Sequence, residues 1–213
     1  MEPVLAYAAH ELRTPLATQR ALLELALADP ETDVSAWREI GEDVLHACNR
    51  QERVLEACLA LAHGRETRHR CEPVDLAAIA GDALRAHDRG SLTTVVALEP
   101  ARTCGDPDLL ERLAANLVSN AIRHNLPEGR IEDATGTESG RAHLAVANTG
   151  RRIPPAKLPR LFQPFERLGS RADGGGLGLA IVQAIADGHE AVVTARARTG
   201  GGLGIDVAFP ALD

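Results

Sequence analysis

Two stripes of seam positions occupy the first sixty residues, each advancing in alternating steps of four and three. Leu5, Ala9, Leu12, Leu16, Gln19, Leu23 and Ala26 make the first; Trp37, Gly41, Val44, Cys48, Gln51, Leu55, Cys58 and Ala62 make the second. This is heptad spacing, and it predicts two long helices. Asp29-Pro30-Glu31-Thr32-Asp33 breaks the first helix and offers cap side chains to the second. A lone two-helix hairpin cannot enclose its own stripe. Two copies paired into a four-helix bundle would, so a homodimer is expected.

Beyond the polar stretch 64–70 the pattern changes. Asp75–His87 has a helical period, and Leu92–Leu98 is β-branched and strand-like. Asp106–Asn125 is strongly periodic, and Gly105-Asp106-Pro107 supplies a cap residue followed by Pro at the first helical position. Ala142–Ala147 reads as a strand, with Ile131–Thr135 as a weaker partner across the Thr137–Gly140 turn. Leu177–Gly188 reads as a helix opened by glycines, and Val192–Arg198 with Leu203–Phe209 as a hairpin. Strands adjoining in sequence suggest antiparallel pairing with helices on one face. The fold class is α+β, with a helical domain at 1–66 and a mixed domain at 67–213.

Charge and glycine divide at the same place. Residues 1–66 hold 12 acidic and 6 basic side chains, residues 67–213 hold 18 and 17, and 17 of the 19 glycines fall in the second part. No apolar run approaches the roughly 20 residues of a membrane span. With only 2% aromatic residues and a net charge of −7, the chain lacks both stacking platforms and a basic surface, so nucleic acid is not an expected partner. Cys48, Cys58, Cys71 and Cys104 contain no CxxC pair; neither a zinc site nor a disulfide framework is expected, and they read as thiols in a reducing compartment. Lys157 is the only lysine and lies far from any Gly-rich turn. A P-loop and a protein-kinase fold both need a lysine at the phosphates, so both are excluded.

Candidate chemistry begins on the first helix, at His10-Glu11-Leu12-Arg13-Thr14-Pro15-Leu16. His10 is off the seam and faces solvent, with Glu11 beside it and Thr14 one turn on. A carboxylate next to an exposed imidazole can orient the ring proton and raise the nucleophilicity of the other nitrogen. Pro15 removes a backbone donor and is expected to bend the helix.

This segment resembles the H-box of the sensor histidine kinases of bacterial two-component systems, matching at every position. The resemblance continues through the chain in that family's order. It implies a dimerisation and phosphotransfer hairpin followed by a Bergerat-type ATP-binding α/β sandwich, the fold shared with gyrase, the Hsp90 chaperone and MutL. Asn116-Leu117-Val118-Ser119-Asn120-Ala121-Ile122-Arg123-His124-Asn125 is similar to the N-box. Asn116, Asn120 and His124 (or Arg123) are spaced by helical turns. An Asn oxygen is a hard, uncharged ligand suited to Mg²⁺ beside a triphosphate. The resemblance assigns Asn120 to the metal, His124 and Arg123 to phosphate or ribose, and Asn116 and Asn125 to the same nucleotide-binding box.

Val146-Ala147-Asn148-Thr149-Gly150-Arg151-Arg152-Ile153 stands where the family has Asp-x-Gly-x-Gly, whose Asp accepts a hydrogen bond from the adenine amino group. Asn148, Gly150 and Ile153 are the matching positions. Asn148 replaces the Asp and Arg152 the second Gly. An Asn oxygen can still accept that bond, at a loss of about 1 kcal/mol or less, so Asn148→Asp is expected to bind ATP at least as well. Arg152 gives up positive-φ freedom near the nucleotide. Phe162-Gln163-Pro164-Phe165-Glu166-Arg167 resembles the F-box, and Gly174-Gly175-Gly176-Leu177-Gly178-Leu179 the G2 box, with the ATP lid between them. Glycines at a helix start let backbone N–H groups reach phosphate oxygens, so Gly174, Gly176, Leu177, Gly178 and Leu179, with Arg167, complete the expected ATP site. Gly200–Gly204 reads as a plain hairpin turn.

The resemblance implies a protein-histidine kinase. ATP with Mg²⁺ phosphorylates His10, and the phosphoryl group passes to an aspartate of a response-regulator receiver domain. Glu11 acts as base or orienter, Arg13 as a supporting cation, and Thr14 positions water for a phosphatase step. The alternative is a kinase-descended module that docks a response regulator and turns over little ATP. The expected location is cytoplasmic, with any membrane anchor of a parent protein in segments outside this sequence.

Overall fold

The computed structural model describes residues 2–29, 33–63, 71–164 and 176–212, with side-chain detail at 15–29, 33–45, 47–48, 51, 71–164 and 176–212. The chain forms two compact units, Met1–Leu59 and Ala60–Asp213. Among the described residues no helix is long and apolar enough to cross a membrane.

The first unit is a pair of helices, α1 (Glu2–Ala28) and α2 (Val34–His63), and α1 runs through Pro15. Asp33 starts α2: its carboxylate accepts from the Ala36 N–H and the Ser35 hydroxyl, both at 2.8 Å. Those bonds, led by the Ala36 N–H, hold its pKa below the usual carboxylate range. The expected seam meets at Gln19, which is 8% exposed beside the buried Ala26 and Ala47. The Gln19 amide donates to the Val44 carbonyl at 3.2 Å and to Cys48 Sγ at 3.4 Å, and accepts from the Gln51 amide at 3.4 Å. A buried amide in an apolar seam fixes register, because any slip strands it. Leu16 (55%) and Leu45 (64%) remain exposed on a single hairpin.

The second unit is a five-stranded sheet with helices on one face. Its elements are β1 (Glu72–Asp75), α3 (Leu76–Ala86), β2 (Thr93–Leu98), β3 (Arg102–Gly105), α4 (Pro107–Arg123), β4 (Arg130–Glu138), β5 (Arg141–Asn148), a 3₁₀ helix (Pro155–Phe162), α5 (Gly178–Gly188), β6 (Val192–Ala197) and β7 (Leu203–Pro210). The sheet order is β2-β4-β5-β7-β6. β4–β5 and β6–β7 pair antiparallel as expected and β5 also pairs antiparallel with β7, but β2 lies parallel to β4, because α4 carries the chain back across the sheet between them. Alternate residues of β5, namely Ala142, Leu144, Val146 and Asn148, are buried against the helices. Leu110, Leu113, Leu117 and Val118 of α4, Val182 and Ile185 of α5, and Val207 and Phe209 of β7 fill the core at 3% exposure or less.

Two features depart from the sequence expectations. β1 and β3 form a separate two-stranded antiparallel sheet, each only four residues long and too short to carry a period-2 pattern. Cys71 and Cys104 are joined in a disulfide across it, with Cα atoms 5.1 Å apart. The expectation of four unpaired thiols is therefore corrected: the two cysteines stand 33 positions apart in the sequence, and only the strand pairing brings them together. Cys48 is free.

Candidate functional site

Three segments converge at one end of the sheet: the last turns of α4, the loop leaving β5, and the start of α5. Helix α4 begins as its sequence dictates, with the Asp106 carboxylate accepting from the N–H groups of Asp108 (3.0 Å) and Leu109 (3.4 Å) and Pro107 in the first turn. Its buried side packs on α5 and the sheet, which turns Asn116, Asn120 and His124 toward one edge. The Asn116 amide donates to the Arg112 carbonyl one turn back at 2.8 Å, and its Oδ1 lies where a Cβ on Gly178 would come within 3.2 Å. Asn116 thus sits directly beneath the start of α5. Asn120, half-buried one turn further, makes no side-chain hydrogen bond among the described residues. Arg123 and His124 are exposed at the helix end, where the His124 N–H closes on the Asn120 carbonyl at 3.1 Å.

Asn125 is fully engaged. Its amide donates to the Arg130 carbonyl at 3.1 Å, while Oδ1 accepts from the Leu126 N–H at 2.9 Å and the Thr149 hydroxyl at 2.5 Å. Thr149 Oγ in turn accepts from the Arg130 N–H at 2.8 Å. This knot ties the end of α4 to the end of β5, and Gly129 leaves room for it, since a Cβ there would overlap Asn125 and Thr149.

Asn148 is 3% exposed at the end of β5. Its Nδ2 donates to the Thr149 carbonyl at 2.6 Å and the His124 carbonyl at 3.4 Å, and no described donor reaches its Oδ1. The amide is oriented by its own neighbours, with the acceptor end left over. Gly150 follows, and a Cβ there would come within 2.7 Å of the His124 carbonyl. Ile153 is half-buried in the same loop.

At the third wall, Gly176 takes φ 65°, Leu177 is buried, and α5 starts at Gly178 with no side chain capping it. Leu179 is buried as well. The first N–H groups of an uncapped helix are natural anion partners. Gly174 and Arg167, with the rest of 165–175, lie outside the described residues. His10, Glu11, Arg13 and Thr14 lie on the backbone of α1, and their side chains are outside those described. No group of three or more His, Cys, Asp or Glu suited to a metal occurs among the described residues.

The glycine hairpin turn between β6 and β7 also packs against this loop. Gly201 and Gly202 take φ 95° and 101°, and a Cβ on either would fall on the carbonyl of Gly150 or Asn148 respectively. The Gly202 N–H donates to the Arg151 carbonyl at 3.1 Å. Three consecutive glycines were the signal, and the turn they make is pressed against the Asn148–Arg151 loop.

An uncapped glycine-led helix, an acceptor held at a strand end and Asn120 between them lie at one end of an α/β unit, preceded in the chain by a helical hairpin. Residues 105–213, half of the chain, match the model of the histidine kinase-, DNA gyrase B- and HSP90-like ATPases, and residues 2–67 match the His kinase A phospho-acceptor domain. The sensor protein CutS of Streptomyces coelicolor is 40% identical over 95% of this chain and 51% of its own length. The mycobacterial sensor histidine kinase MprB is 28% identical, with a TM-score of 0.60, over 66% of this chain and 97% of that structure. The Acinetobacter baumannii histidine kinase AdeS shares the fold, at 22% identity and a TM-score of 0.71, over 96% of this chain and 98% of that one. The chain belongs to the sensor histidine kinases of bacterial two-component systems, and residues 105–213 carry their ATP-binding family. It spans about half the length of the curated relatives it matches.

Proposed function

We propose that this chain is the catalytic core of a sensor histidine kinase, which transfers the γ-phosphoryl group of ATP to a ring nitrogen of His10 and then to an aspartate of a response-regulator receiver domain. The observation that carries this reading is the pairing, in one chain, of a phospho-acceptor hairpin bearing His10-Glu11-Leu12-Arg13-Thr14-Pro15 with a nucleotide wall built from Asn116, Asn148, Gly150 and Gly178. We assign the hairpin to 1–66 and the ATP domain to 67–213.

The Asn148 Oδ1 is the acceptor for the adenine amino group, in the loop held by Gly150 with Ile153 beside it. Asn120, with no protein partner among the described residues, fits a divalent ion: its oxygen is hard and neutral, and the ion would be shared with phosphate oxygens. Asn120 would hold Mg²⁺, which would supply charge neutralisation to the phosphoryl group. The first N–H groups of α5, behind Gly176 and Gly178, hold phosphate oxygens, with Gly174 and Arg167 in the segment before them. Arg123 and His124 face the ribose and phosphates, and Asn125 positions the wall through Thr149. On α1, Glu11 orients the His10 ring or takes its proton, Arg13 supports developing charge, and Thr14 places water for dephosphorylation. Two chains pair through the hairpin faces that carry Leu16 and Leu45, giving a homodimer whose ATP chemistry runs in the cytoplasm.

The test is incubation with radiolabelled ATP and Mg²⁺. The expected result is acid-labile, base-stable label on the parent and none on His10→Gln. Label that survives His10→Gln, or nucleotide bound without any label, would remove the kinase reading.

A further inference from the structure

We infer that Thr149 is a specificity-determining positioning residue: its hydroxyl fixes the carbonyl that orients the Asn148 amide, and the site thereby selects a purine with a 6-amino group over one with a 6-oxo group. The inference rests on the reading of Asn148 Oδ1 as the base acceptor and goes beyond it, because the two ends of an asparagine amide suit different purines.

A carboxylate at the end of β5 could only accept. A primary amide carries an acceptor and a donor at ends of nearly equal size, so half a turn about its last side-chain bond exchanges them. With Oδ1 outward the amide suits the amino group of adenine. With Nδ2 outward it suits the carbonyl oxygen of hypoxanthine or guanine. Asn148 is buried, and its Nδ2 donates to the Thr149 carbonyl at 2.6 Å and the His124 carbonyl at 3.4 Å. The turned amide would set Oδ1 against both carbonyl oxygens with no proton between them. Two carbonyls therefore lock the reader in one sense.

The lock is as firm as those carbonyls. At the end of α4 the His124 N–H donates to the Asn120 carbonyl at 3.1 Å. Its own carbonyl is packed by Gly150, where a Cβ would come within 2.7 Å of that oxygen and 3.1 Å of Asn148 Nδ2. The Thr149 carbonyl lies beyond the last residue of β5, in the peptide bond to a glycine. What holds it is the hydroxyl of the same residue. Thr149 Oγ donates to Asn125 Oδ1 at 2.5 Å and accepts from the Arg130 N–H at 2.8 Å, while the Thr149 N–H donates to the Arg130 carbonyl at 3.0 Å. Asn125 closes the ring by donating to the same carbonyl at 3.1 Å. A β-branched side chain is stiff at χ1, so pinning the hydroxyl pins the backbone that carries the carbonyl. Among the described residues this hydroxyl meets only Asn125 and Arg130, so it acts on Asn148 through the backbone.

The test titrates the full chain, with Mg²⁺, against three probes: ATP, inosine triphosphate with its 6-oxo group, and purine riboside triphosphate with nothing at C6. The parent should bind ATP at least about thirtyfold more tightly than inosine triphosphate. Thr149→Val keeps the shape and removes the hydroxyl. It should narrow that ratio to about threefold or less while leaving the affinity for purine riboside triphosphate unchanged, and Thr149→Ser should keep the parent's ratio. In the parent itself, the side-chain amide protons of Asn148 should be protected from solvent exchange, a reading that needs no variant. An equal loss for all three probes in Thr149→Val would show a merely structural residue and overturn the inference. An unchanged ratio in that variant, or free exchange of the Asn148 amide protons, would overturn it too. A parent that binds ATP and purine riboside triphosphate equally would remove Asn148 as base acceptor, and the inference with it. Selective binding without label on His10 would remove the kinase reading and leave the lock standing.

Discussion

His189, at the end of α5, accepts a hydrogen bond on Nε2 from the Asp106 N–H at 3.1 Å, at the start of α4. Its Nδ1 lies 2.7 Å from the Ile185 carbonyl, which can only accept, so Nδ1 carries the ring proton. One imidazole thereby couples the C-terminus of one nucleotide-site helix to the N-cap of the other, edge-on to Phe209. The contact is close enough that a Cβ on Gly105 would come within 2.6 Å of the ring. His189→Ala should cost about 1–2 kcal/mol of unfolding free energy. Gly105→Ala should cost about 1–3 kcal/mol by crowding the same ring. Denaturant melts of both variants check this; an unchanged midpoint for His189→Ala would show that the two helices are held by packing alone.

Asp133 on β4 is 1% exposed, neither carboxylate oxygen has a hydrogen-bond partner, and burial pushes its pKa from 3.8 up to about 6. The folded state therefore holds this proton more tightly than the unfolded state. Stability falls as pH rises from about 4 to about 6, by up to roughly 3 kcal/mol in all. Glu132 next to it behaves oppositely, because its hydrogen bond from Arg198 lowers its pKa. The informative quantity is thus the difference between parent and Asp133→Val. Near pH 4 the two should be of similar stability, and at pH 7 the variant should be more stable by about 2–3 kcal/mol. A variant that is less stable at pH 7 would mean the carboxylate has a partner.

Asn148 alters an expectation drawn from the sequence. By resemblance, Asn148→Asp restores the family's residue and should bind ATP at least as well. In the fold, Nδ2 donates to two carbonyls at 2.6 and 3.4 Å, and an aspartate oxygen there would face both without a proton. The substitution is now expected to weaken nucleotide binding by about tenfold or more, a loss of roughly 1–3 kcal/mol. Titration with an ATP analogue decides it, and tighter binding would show that the loop rearranges around a carboxylate.

Gly202→Ala tests the turn behind that loop. With φ at 101° and its Cβ direction filled by the Asn148 carbonyl, alanine is strained and displaces Asn148, the proposed adenine acceptor. Roughly 1–3 kcal/mol of strain is expected, appearing as at least about tenfold weaker binding of the analogue. Gly200→Ala, with nothing within 4 Å and no positive φ, should bind as the parent does.

The two long helices, the Asp106-Pro107 start of α4 and the β6–β7 hairpin were all legible in the sequence, because each is a local rule of period, cap or turn carried by consecutive residues. So was the placement of Asn116, Asn120 and His124 along one face of α4, which spacing alone gives. Only the tertiary structure decided the rest. The parallel β2–β4 pairing, the Cys71–Cys104 bridge, the orientation of the Asn148 amide, the isolation of Asp133 and the contact of Gly202 with Asn148 each join residues far apart in the chain or set a buried group against distant neighbours. Periodicity reports which face of an element is apolar. It carries no information on which remote carbonyl, sulfur or ring will be packed against that face, and at this site those contacts fix what each side chain can offer a ligand.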